Sequence, residues 1–298
     1  MKNFCVKILL FLAGFLFTKE LRHSCKTKIM SLFLTPKEDE LKIWSNIMSN
    51  RETLEYIIER KCSISRFGDG EIGYLVNDNF NHFFQPFNKI LQEKLRYILL
   101  NPIDSCLIAV PSWLGQKETN EFPIRFQVNY WNKMKVYANQ NVRYGLSFCF
   151  GTSTFRENNI ELVKKIWEGK DVVLVTGKGS TFVWEDDLFN NVKSHNIILT
   201  KSVDAFSEYD KIIEEVSKYD KDCIILMALG LTATVLAYDL SLLGYQAIDI
   251  GHVVNSYLTV AKGVRSIDGC RQDGIYIDGE TDIKKIIEED LRIASKKI

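Results

Sequence analysis

The sequence predicts an α/β fold in which a mainly parallel, doubly wound sheet is covered by helices on both faces. Short apolar runs of strand length alternate with stretches of helical periodicity. Two of the runs, residues 172–175 and 223–229, are apolar at consecutive positions, which is typical of strands buried on both faces. Because no linker rich in Pro, Gly or Ser interrupts the alternation, we expect one domain over residues 31–298, preceded by a basic and apolar segment over residues 1–30.

The individual helices and strands are predicted from capping patterns and apolar runs. Thr35-Pro36-Lys37-Glu38 predicts a capping box that opens a helix, and Ser49 with Glu52 predicts a second one. Strands are expected at residues 63–67, 106–110, 146–150, 172–175, 197–199, 223–229 and 247–250. Helical stretches are expected at residues 160–167, 209–216 and 234–243.

Composition and charge exclude several classes of protein. The chain has 298 residues, of which 46% are apolar and 26% charged, so it forms a core and is not disordered. Its 38 Lys and Arg residues balance 38 Asp and Glu residues, whereas a nucleic-acid-binding protein would usually carry a basic excess. Seven cysteines without a Cys-x-x-Cys pair predict buried, reduced thiols and therefore a cytoplasmic protein.

The N-terminal segment combines an apolar run with basic flanks. Residues 8–17 are apolar without interruption, and residues 1–28 carry six Lys or Arg against one acid, Glu20. Ten apolar residues are too few to span a bilayer, which takes about 20. Two interpretations stay open: a helix on a membrane surface, whose bases meet anionic lipid, and a first helix packed on the protein's own core. We favour the first, as peripheral association at the inner face of the cell membrane.

Polar and glycine-rich residues follow the first predicted strand, at the sheet edge where doubly wound folds bind ligands. Asp69 and Glu71 are two residues apart, so in an extended chain both would point to the same side. Such a pair suits Mg²⁺ or Mn²⁺, with water and substrate phosphates completing the coordination. Arg66 adds a positive charge, and Gly68 lets a bulky ligand approach the backbone. The alternative is a glycine-rich turn with a solvated Glu71.

A second strand end predicts a phosphate contact. The buried run at residues 172–175 leads into Gly177-Lys178-Gly179-Ser180. Backbone amides in such a turn, with Lys178 as a point charge, would bind a phosphate. The motif matches neither a P-loop nor a dinucleotide-binding fingerprint, and a plain turn is an equally good interpretation.

A third strand end, and a fourth, add further candidates. Gly230 leads into a helix whose first turn contains Thr232, Ala233 and Thr234. Free amides and two hydroxyl groups there would bind an anion with the help of the helix dipole, or Thr232 would simply cap the helix. His252 follows the run at residues 247–250 and is a candidate base or donor ligand.

Together these motifs resemble the bacterial GT-D glycosyltransferase family. The resemblance covers about residues 50–255 and rests on the segments 66–71, 177–180, 228–234 and 244–252. It implies a Rossmann-like fold that moves a sugar from a nucleotide donor, typically UDP-linked, to a glycan or lipid-linked glycan acceptor. It also implies that Asp69 and Glu71 form an Asp-x-Glu motif for Mn²⁺ or Mg²⁺, and that the reaction serves surface polysaccharide or glycoprotein glycan synthesis.

Two other functions stay open at this point. Another metal-dependent, nucleotide-using transferase, such as a phosphotransferase or nucleotidyltransferase, would need the same metal and phosphate contacts. A non-catalytic binding protein of polysaccharide assembly would bind the ligand without turning it over. The products of the reaction distinguish these functions, because only a glycosyltransferase releases the nucleoside diphosphate and glycosylates an acceptor.

Overall fold

The structure is a computed structural model that describes residues 2–16, 18–78, 80, 84–118, 120–180, 182, 184–263 and 275–276. The chain divides into two compact units. One consists of Met1–Ile47 and Pro111–Arg143, and the other of Met48–Val110 and Tyr144–Ile298. The boundary that the sequence predicts between residues 30 and 31 stays a prediction.

The sheet belongs to the larger unit. Its strands are β1 (Ser63–Arg66), β2 (Cys106–Val110), β3 (Gly145–Leu146), β4 (Asp171–Gly177), β5 (Ser194–Thr200), β6 (Ile224–Ala228), β7 (Gln246–Asp249) and β8 (Ile275–Tyr276). In space they lie in the order β3-β2-β1-β7-β6-β4-β5-β8, and every neighbouring pair among these strands is parallel. The carboxyl ends of all these strands therefore meet at one edge of the sheet.

The helices connect these strands and build the smaller unit. In the larger unit they are α4 (Asn50–Arg60), α5 (Asp69–Val76), α6 (Lys89–Leu100), α8 (Thr152–Arg156), α9 (Ile160–Lys165), α10 (Asp186–Phe189), α11 (Tyr209–Val216), α12 (Leu231–Leu242) and α13 (Val253–Ala261). In the smaller unit they are α1 (Lys2–Ala13), α2 (Lys19–Phe33), α3 (Glu38–Leu41) and α7 (Glu121–Met134). Short 3₁₀ turns lie at Lys42–Trp44, Ser112–Leu114, Lys135–Tyr137 and Ala205–Glu208. No helix in the described part of the chain is both long enough and apolar enough to cross a bilayer.

Helices cover both faces of the sheet. On one face α12 packs against β1 and β7, and the Ser65 hydroxyl donates a 2.7 Å hydrogen bond to the Thr234 carbonyl of that helix. On the other face, Ile64, Leu174 and Leu226 belong to a core cluster that includes residues of α4, α9 and α13. Strands β4 and β6 are buried on both faces, which explains why they are apolar at consecutive positions. The prediction of a doubly wound parallel sheet is confirmed.

All seven predicted strands are present, and the third is much shorter than predicted. Strand β3 ends at Leu146, not at residue 150. The chain turns there, because the Cys149 amide donates to the Leu146 carbonyl (3.1 Å) and the Gly151 amide donates to the Phe148 carbonyl (2.7 Å). These turns place residues 147–152 at the carboxyl edge of the sheet instead of within it.

One of the two predicted capping boxes forms as expected. The Ser49 amide donates to Glu52 Oε2 (2.9 Å), the Glu52 amide donates to the Ser49 hydroxyl (3.3 Å), and α4 follows. The box predicted at Thr35 is wrong. The Thr35 hydroxyl instead donates to the Ser31 carbonyl (2.7 Å) just beyond the end of α2, and the short α3 begins only at Glu38.

Candidate functional site

A cavity of about 480 Å³ opens at the carboxyl edge of the sheet. The strand register brings the ends of β7, β6 and β4 side by side, because Met227 pairs with Asp249 and Thr176 pairs with Ala228. Strand β1 lies next to β7, so the segment that follows Arg66 reaches the same edge. The cavity therefore lies where a doubly wound sheet is expected to bind its ligand.

The structure brings seven of the predicted site residues together in this cavity. Its walls include Arg66, Gly68, Glu71, Gly177, Ser180, Gly230 and His252. Six other predicted residues are neighbours in the chain but do not form its walls: Asp69, Lys178, Gly179, Thr232, Ala233 and Thr234.

Arg66 is fixed in the cavity wall by three hydrogen bonds. Its guanidinium donates to the Asp249 carboxylate (Nη2 to Oδ1, 2.9 Å), to the Asp249 carbonyl (2.5 Å) and to the Ser147 carbonyl (2.8 Å). Its Cζ atom also lies 5.6 Å from the centre of the Phe150 ring. The charge of Arg66 is thus held in one place, between the ends of β1, β3 and β7, and does not need to reorganise when an anion arrives.

The segment after β1 is helical, not extended as the sequence reasoning assumed. Helix α5 begins at Asp69, with Gly68 as its N-cap residue. Side chains two positions apart point to different sides of a helix, so the expectation that Asp69 and Glu71 project to the same side is wrong. Glu71 turns back to accept the Gly68 amide through Oε2 (2.8 Å) and lines the cavity. Their joint role as metal ligands stays a prediction.

Glu71 lines the cavity and has a shifted pKa. Burial, and next the nearby Asp249 charge, raise the pKa of Glu71 to about 7, while hydrogen bonds and Arg66 oppose this shift. A second cation beside Glu71 would favour its ionised form. The described residues contain no group of three or more His, Cys, Asp or Glu side chains in metal-binding arrangement. Carboxylate oxygens that leave coordination positions for substrate phosphates fit Mg²⁺ or Mn²⁺.

His252 lines the cavity directly after β7. Burial and the nearby positive charge of Arg66 lower its pKa, so the imidazole is neutral near pH 7. A neutral imidazole can accept a proton from a hydroxyl group. The position of His252 is set by Gly251, whose φ of +46° turns the chain from β7 into α13.

The second strand end forms a tight turn with glycines on the cavity side. The Ser180 amide donates to the Gly177 carbonyl (3.0 Å), and Gly179 has a φ of +71°. A Cβ atom at Gly177 would lie 2.5 Å from the Ser202 Cα, so only glycine fits there. The Ser180 hydroxyl lies 3.1 Å from the Thr176 hydroxyl. This turn brings backbone, not bulky side chains, to the cavity.

The third strand end contributes backbone rather than hydroxyl groups. Gly230 lines the cavity with a φ of +54° and is the N-cap residue of α12. The Thr234 hydroxyl donates to the Arg66 carbonyl (3.0 Å), and the Thr232 hydroxyl lies 3.4 Å from Gln85 Oε1. Both threonines are fully buried and hold α12 to its neighbours. The prediction that their hydroxyl groups face an anion is therefore wrong, because both hydroxyl groups contact acceptor atoms of the protein itself.

The sequence reasoning missed Asp249 and the segment of residues 147–152. Asp249 is an acid within the otherwise apolar run at residues 247–250, which was the available signal for a buried ion pair. The segment after β3 gives no such signal, since its apolar residues were assigned to the strand. This segment supplies Phe148, which lines the cavity and is 42% exposed.

Fold and site together define an α/β protein with a doubly wound parallel sheet and a glycine-lined cavity at the ends of its strands. A family described as "Glycosyltransferase GT-D fold" matches residues 64–269. This match covers more than half of the chain. The protein belongs to the GT-D glycosyltransferase family.

Two curated relatives come from streptococci. "Glycosyltransferase GlyD" of Streptococcus pneumoniae serotype 4 is 30% identical over 234 residues, which is 72% of this chain and 28% of the relative. "Probable glycosyl transferase Gly" of Streptococcus gordonii is 27% identical over 229 residues, which is 71% of this chain and 32% of the relative. The chain thus spans less than a third of the length of these two relatives.

Two solved structures are similar along nearly their whole length. One is described as "The highly conserved domain of unknown function 1792 has a distinct glycosyltransferase fold". It has a TM-score of 0.67 and 27% identity, over 84% of this chain and 98% of that chain. The other, "A New Glycosyltransferase (DUF1792) from Streptococcus sanguinis", has a TM-score of 0.65 and 26% identity, over 79% of this chain and 95% of that one. They support the fold described above.

Proposed function

We propose that the protein transfers a sugar from a nucleoside diphosphate donor, UDP-linked, to the hydroxyl group of a glycan acceptor. The observation that supports this most strongly is the cavity itself. It joins three glycine-bearing strand ends to one fixed cation, Arg66, and two acids, Asp249 and Glu71. A diphosphate needs close approach to the backbone, which the glycines allow, and compensation of its charge, which Arg66 and a bound divalent cation would supply.

Donor binding is assigned to the residues around the strand ends. Gly68, Gly177 and Gly230 would let the diphosphate approach the backbone, because none of them places a side chain in the cavity. Arg66 would face the negative charge that develops on the departing diphosphate. The Ser180 hydroxyl is a further hydrogen-bonding group in the wall, and Lys178 is a charge on the neighbouring turn.

A divalent cation, Mn²⁺ or Mg²⁺, would be held by Glu71 from the cavity wall, and Asp69 at the start of the same helix would join it only by turning its side chain toward the cavity. Carboxylate oxygens are donors that fit such an ion, and a cation there would offset the burial and the Asp249 charge that raise the pKa of Glu71. When bound, the ion supplies Lewis-acid stabilisation of the leaving diphosphate. Glu71 also fixes the start of α5 through the Gly68 amide.

His252 is the proposed general base. The acceptor hydroxyl attacks the anomeric carbon, the bond from that carbon to the diphosphate oxygen breaks, and His252 takes up the hydroxyl proton. The lowered pKa of His252 keeps its imidazole neutral and able to accept that proton. We place this reaction in the cytoplasm, in surface polysaccharide or glycoprotein glycan synthesis, with a glycan or lipid-linked glycan as acceptor.

A donor screen tests the proposal. Release of the nucleoside diphosphate is measured for a panel of nucleotide sugars with Mn²⁺, with Mg²⁺ and with EDTA. We expect release from a UDP-sugar that EDTA abolishes, and a loss of about 100-fold or more in Glu71→Gln and in Asp69→Asn. Gln can still accept the Gly68 amide, so the first variant keeps the start of α5. Glu93→Gln, at an exposed position on α6, is the matched control and should keep full activity.

Other results would contradict the proposal in distinct ways. Release of pyrophosphate, or transfer of a phosphoryl group, would identify another nucleotide-using transferase. Donor binding without any release would identify a binding protein. Full activity in EDTA, or in both carboxylate variants, would show that the reaction does not need a metal ion.

A further inference from the structure

A second cavity, of about 550 Å³, lies within the smaller unit. Its walls are formed by five basic side chains and three apolar ones: Lys19, Arg22, His23, Lys26, Arg125, Leu10, Phe11 and Met30. No Asp or Glu is among the described residues that form these walls. We call this site the cationic cavity.

The cationic cavity arises from the spacing of bases along α2. Lys19, Arg22 and Lys26 are three and four residues apart, so they share one face of the helix. Arg22 is held there, because its Nη1 donates to the Leu16 carbonyl (3.0 Å). Like charges this close repel each other unless an anion lies between them. The charge pattern therefore fits a ligand with a phosphate group.

Apolar side chains are exposed beside these bases. Phe11 is 66% and Phe15 is 71% exposed, and their rings contact each other edge to face at 5.0 Å. Ile8, Leu9 and Leu12 of α1 are exposed as well. A cluster of exposed apolar side chains next to bases is the pattern of a segment that lies in a membrane interface.

We propose that the cationic cavity binds the phosphate of an anionic phospholipid at a membrane surface, while Phe11 and Phe15 enter the boundary between headgroups and acyl chains. The phosphate complements the charges of Lys19, Arg22 and Lys26, and the acyl region complements the exposed rings. This inference does not depend on sugar transfer, since the smaller unit contains none of the residues assigned to the reaction.

Vesicle sedimentation with the full chain tests the proposal. We expect binding to phosphatidylcholine vesicles that contain phosphatidylglycerol, little binding to phosphatidylcholine alone, and weaker binding as salt is added. The triple variant Lys19→Gln, Arg22→Gln and Lys26→Gln should bind roughly 100-fold more weakly, at about 1 kcal/mol per basic side chain. A control variant with Lys165→Gln, Lys211→Gln and Lys221→Gln loses the same charge at exposed positions of the larger unit and should bind as the wild type does.

A second pair of variants tests the apolar contact. Phe11→Ser with Phe15→Ser should reduce binding to the anionic vesicles at every salt concentration. Ile90→Ser with Leu100→Ser removes two exposed apolar side chains of α6 and should not reduce it. Circular dichroism melts establish that all four variants are folded before they are compared.

Several outcomes would overturn the proposal. Wild-type protein that does not sediment with anionic vesicles, or binds neutral vesicles equally well, has no anionic-lipid site. Equal losses of vesicle binding in the charge variant and its control would show that net charge, and not the cationic cavity, determines the binding. Protection of the cavity lysines from acetylation by inorganic phosphate, without vesicle binding, would assign the site to a soluble anion. A dimer that the Phe11 and Phe15 substitutions dissociate would assign the exposed rings to a second copy of the chain.

Discussion

Arg66 and Asp249 form a buried ion pair, with 2.9 Å between Nη2 and Oδ1, at the carboxyl ends of the neighbouring strands β1 and β7. The Asp249 carboxylate also accepts the Gly251 amide (3.2 Å). Through the Ser147 carbonyl, Arg66 reaches the segment after β3 as well. One side chain thus connects three walls of the cavity, and its charge is the fixed cation of the proposed donor site.

Loss of the Asp249 charge should destabilise the protein. Asp249→Asn leaves Arg66 buried without its counter-charge, which typically costs 3–5 kcal/mol, so we expect the free energy of unfolding to fall by about 3 kcal/mol. Urea denaturation measures the change. Asp171→Asn disrupts an exposed ion pair with Lys193 and serves as the control, with a much smaller change in the free energy of unfolding. Equal changes in the two variants would contradict the role assigned to the buried pair.

Gly251 should not tolerate a side chain. Its φ is +46°, and a Cβ atom there would collide with the Arg66 guanidinium. We expect Gly251→Ala to displace Arg66 and to lower both the unfolding free energy and nucleotide release. Gly244→Ala is the matched control, because Gly244 has a φ of +88° and open space around its Cβ position. That control bears only the backbone strain, about 1–2 kcal/mol. A Gly251→Ala variant as stable and active as Gly244→Ala would show that Arg66 can move freely.

Phe148 should contribute to substrate binding. It is exposed at the cavity on a turn that the Gly151 amide fixes, so its ring is available to stack on a base or a sugar. Stacking of a base on an aromatic ring contributes about 1–3 kcal/mol, and we expect Phe148→Ala to raise KM by about tenfold with little change in kcat. Phe148→Tyr should restore the wild-type KM. An unchanged KM in Phe148→Ala would place the ring outside the binding site.

The cysteines should react according to their burial. Cys62 and Cys149 are buried, and burial raises their pKa values to about 11 and about 12, so neither is a thiolate at neutral pH. Cys5 is exposed. We expect N-ethylmaleimide to label Cys5 in the native protein and Cys62 and Cys149 only after denaturation, as read by peptide mass spectrometry. Rapid labelling of Cys62 or Cys149 in the native state would contradict this packing.

Strand positions were predictable from sequence because β4 and β6 are buried on both faces and are therefore apolar throughout. That three strand ends would meet at one edge was also predictable, since glycines and polar residues follow buried runs there. The conformation of the chain after each strand was not predictable from the sequence. Whether residues 69–71 continue as a strand or start a helix depends on the Glu71 cap on the Gly68 amide, a contact that neither residue alone reveals. Thr232 and Thr234 resemble anion ligands by position, and only the packing of α12 shows that their hydroxyl groups are engaged.

The central claim is that a nucleotide-sugar donor occupies the cavity at the carboxyl ends of β1, β7, β6 and β4. The most direct measurement is a crystal structure of the protein with UDP and Mn²⁺. The account predicts diphosphate density against the backbone of Gly68, Gly177 and Gly230, with Glu71 and Arg66 facing its charge. Density for UDP elsewhere, with this cavity filled only by water, would contradict it.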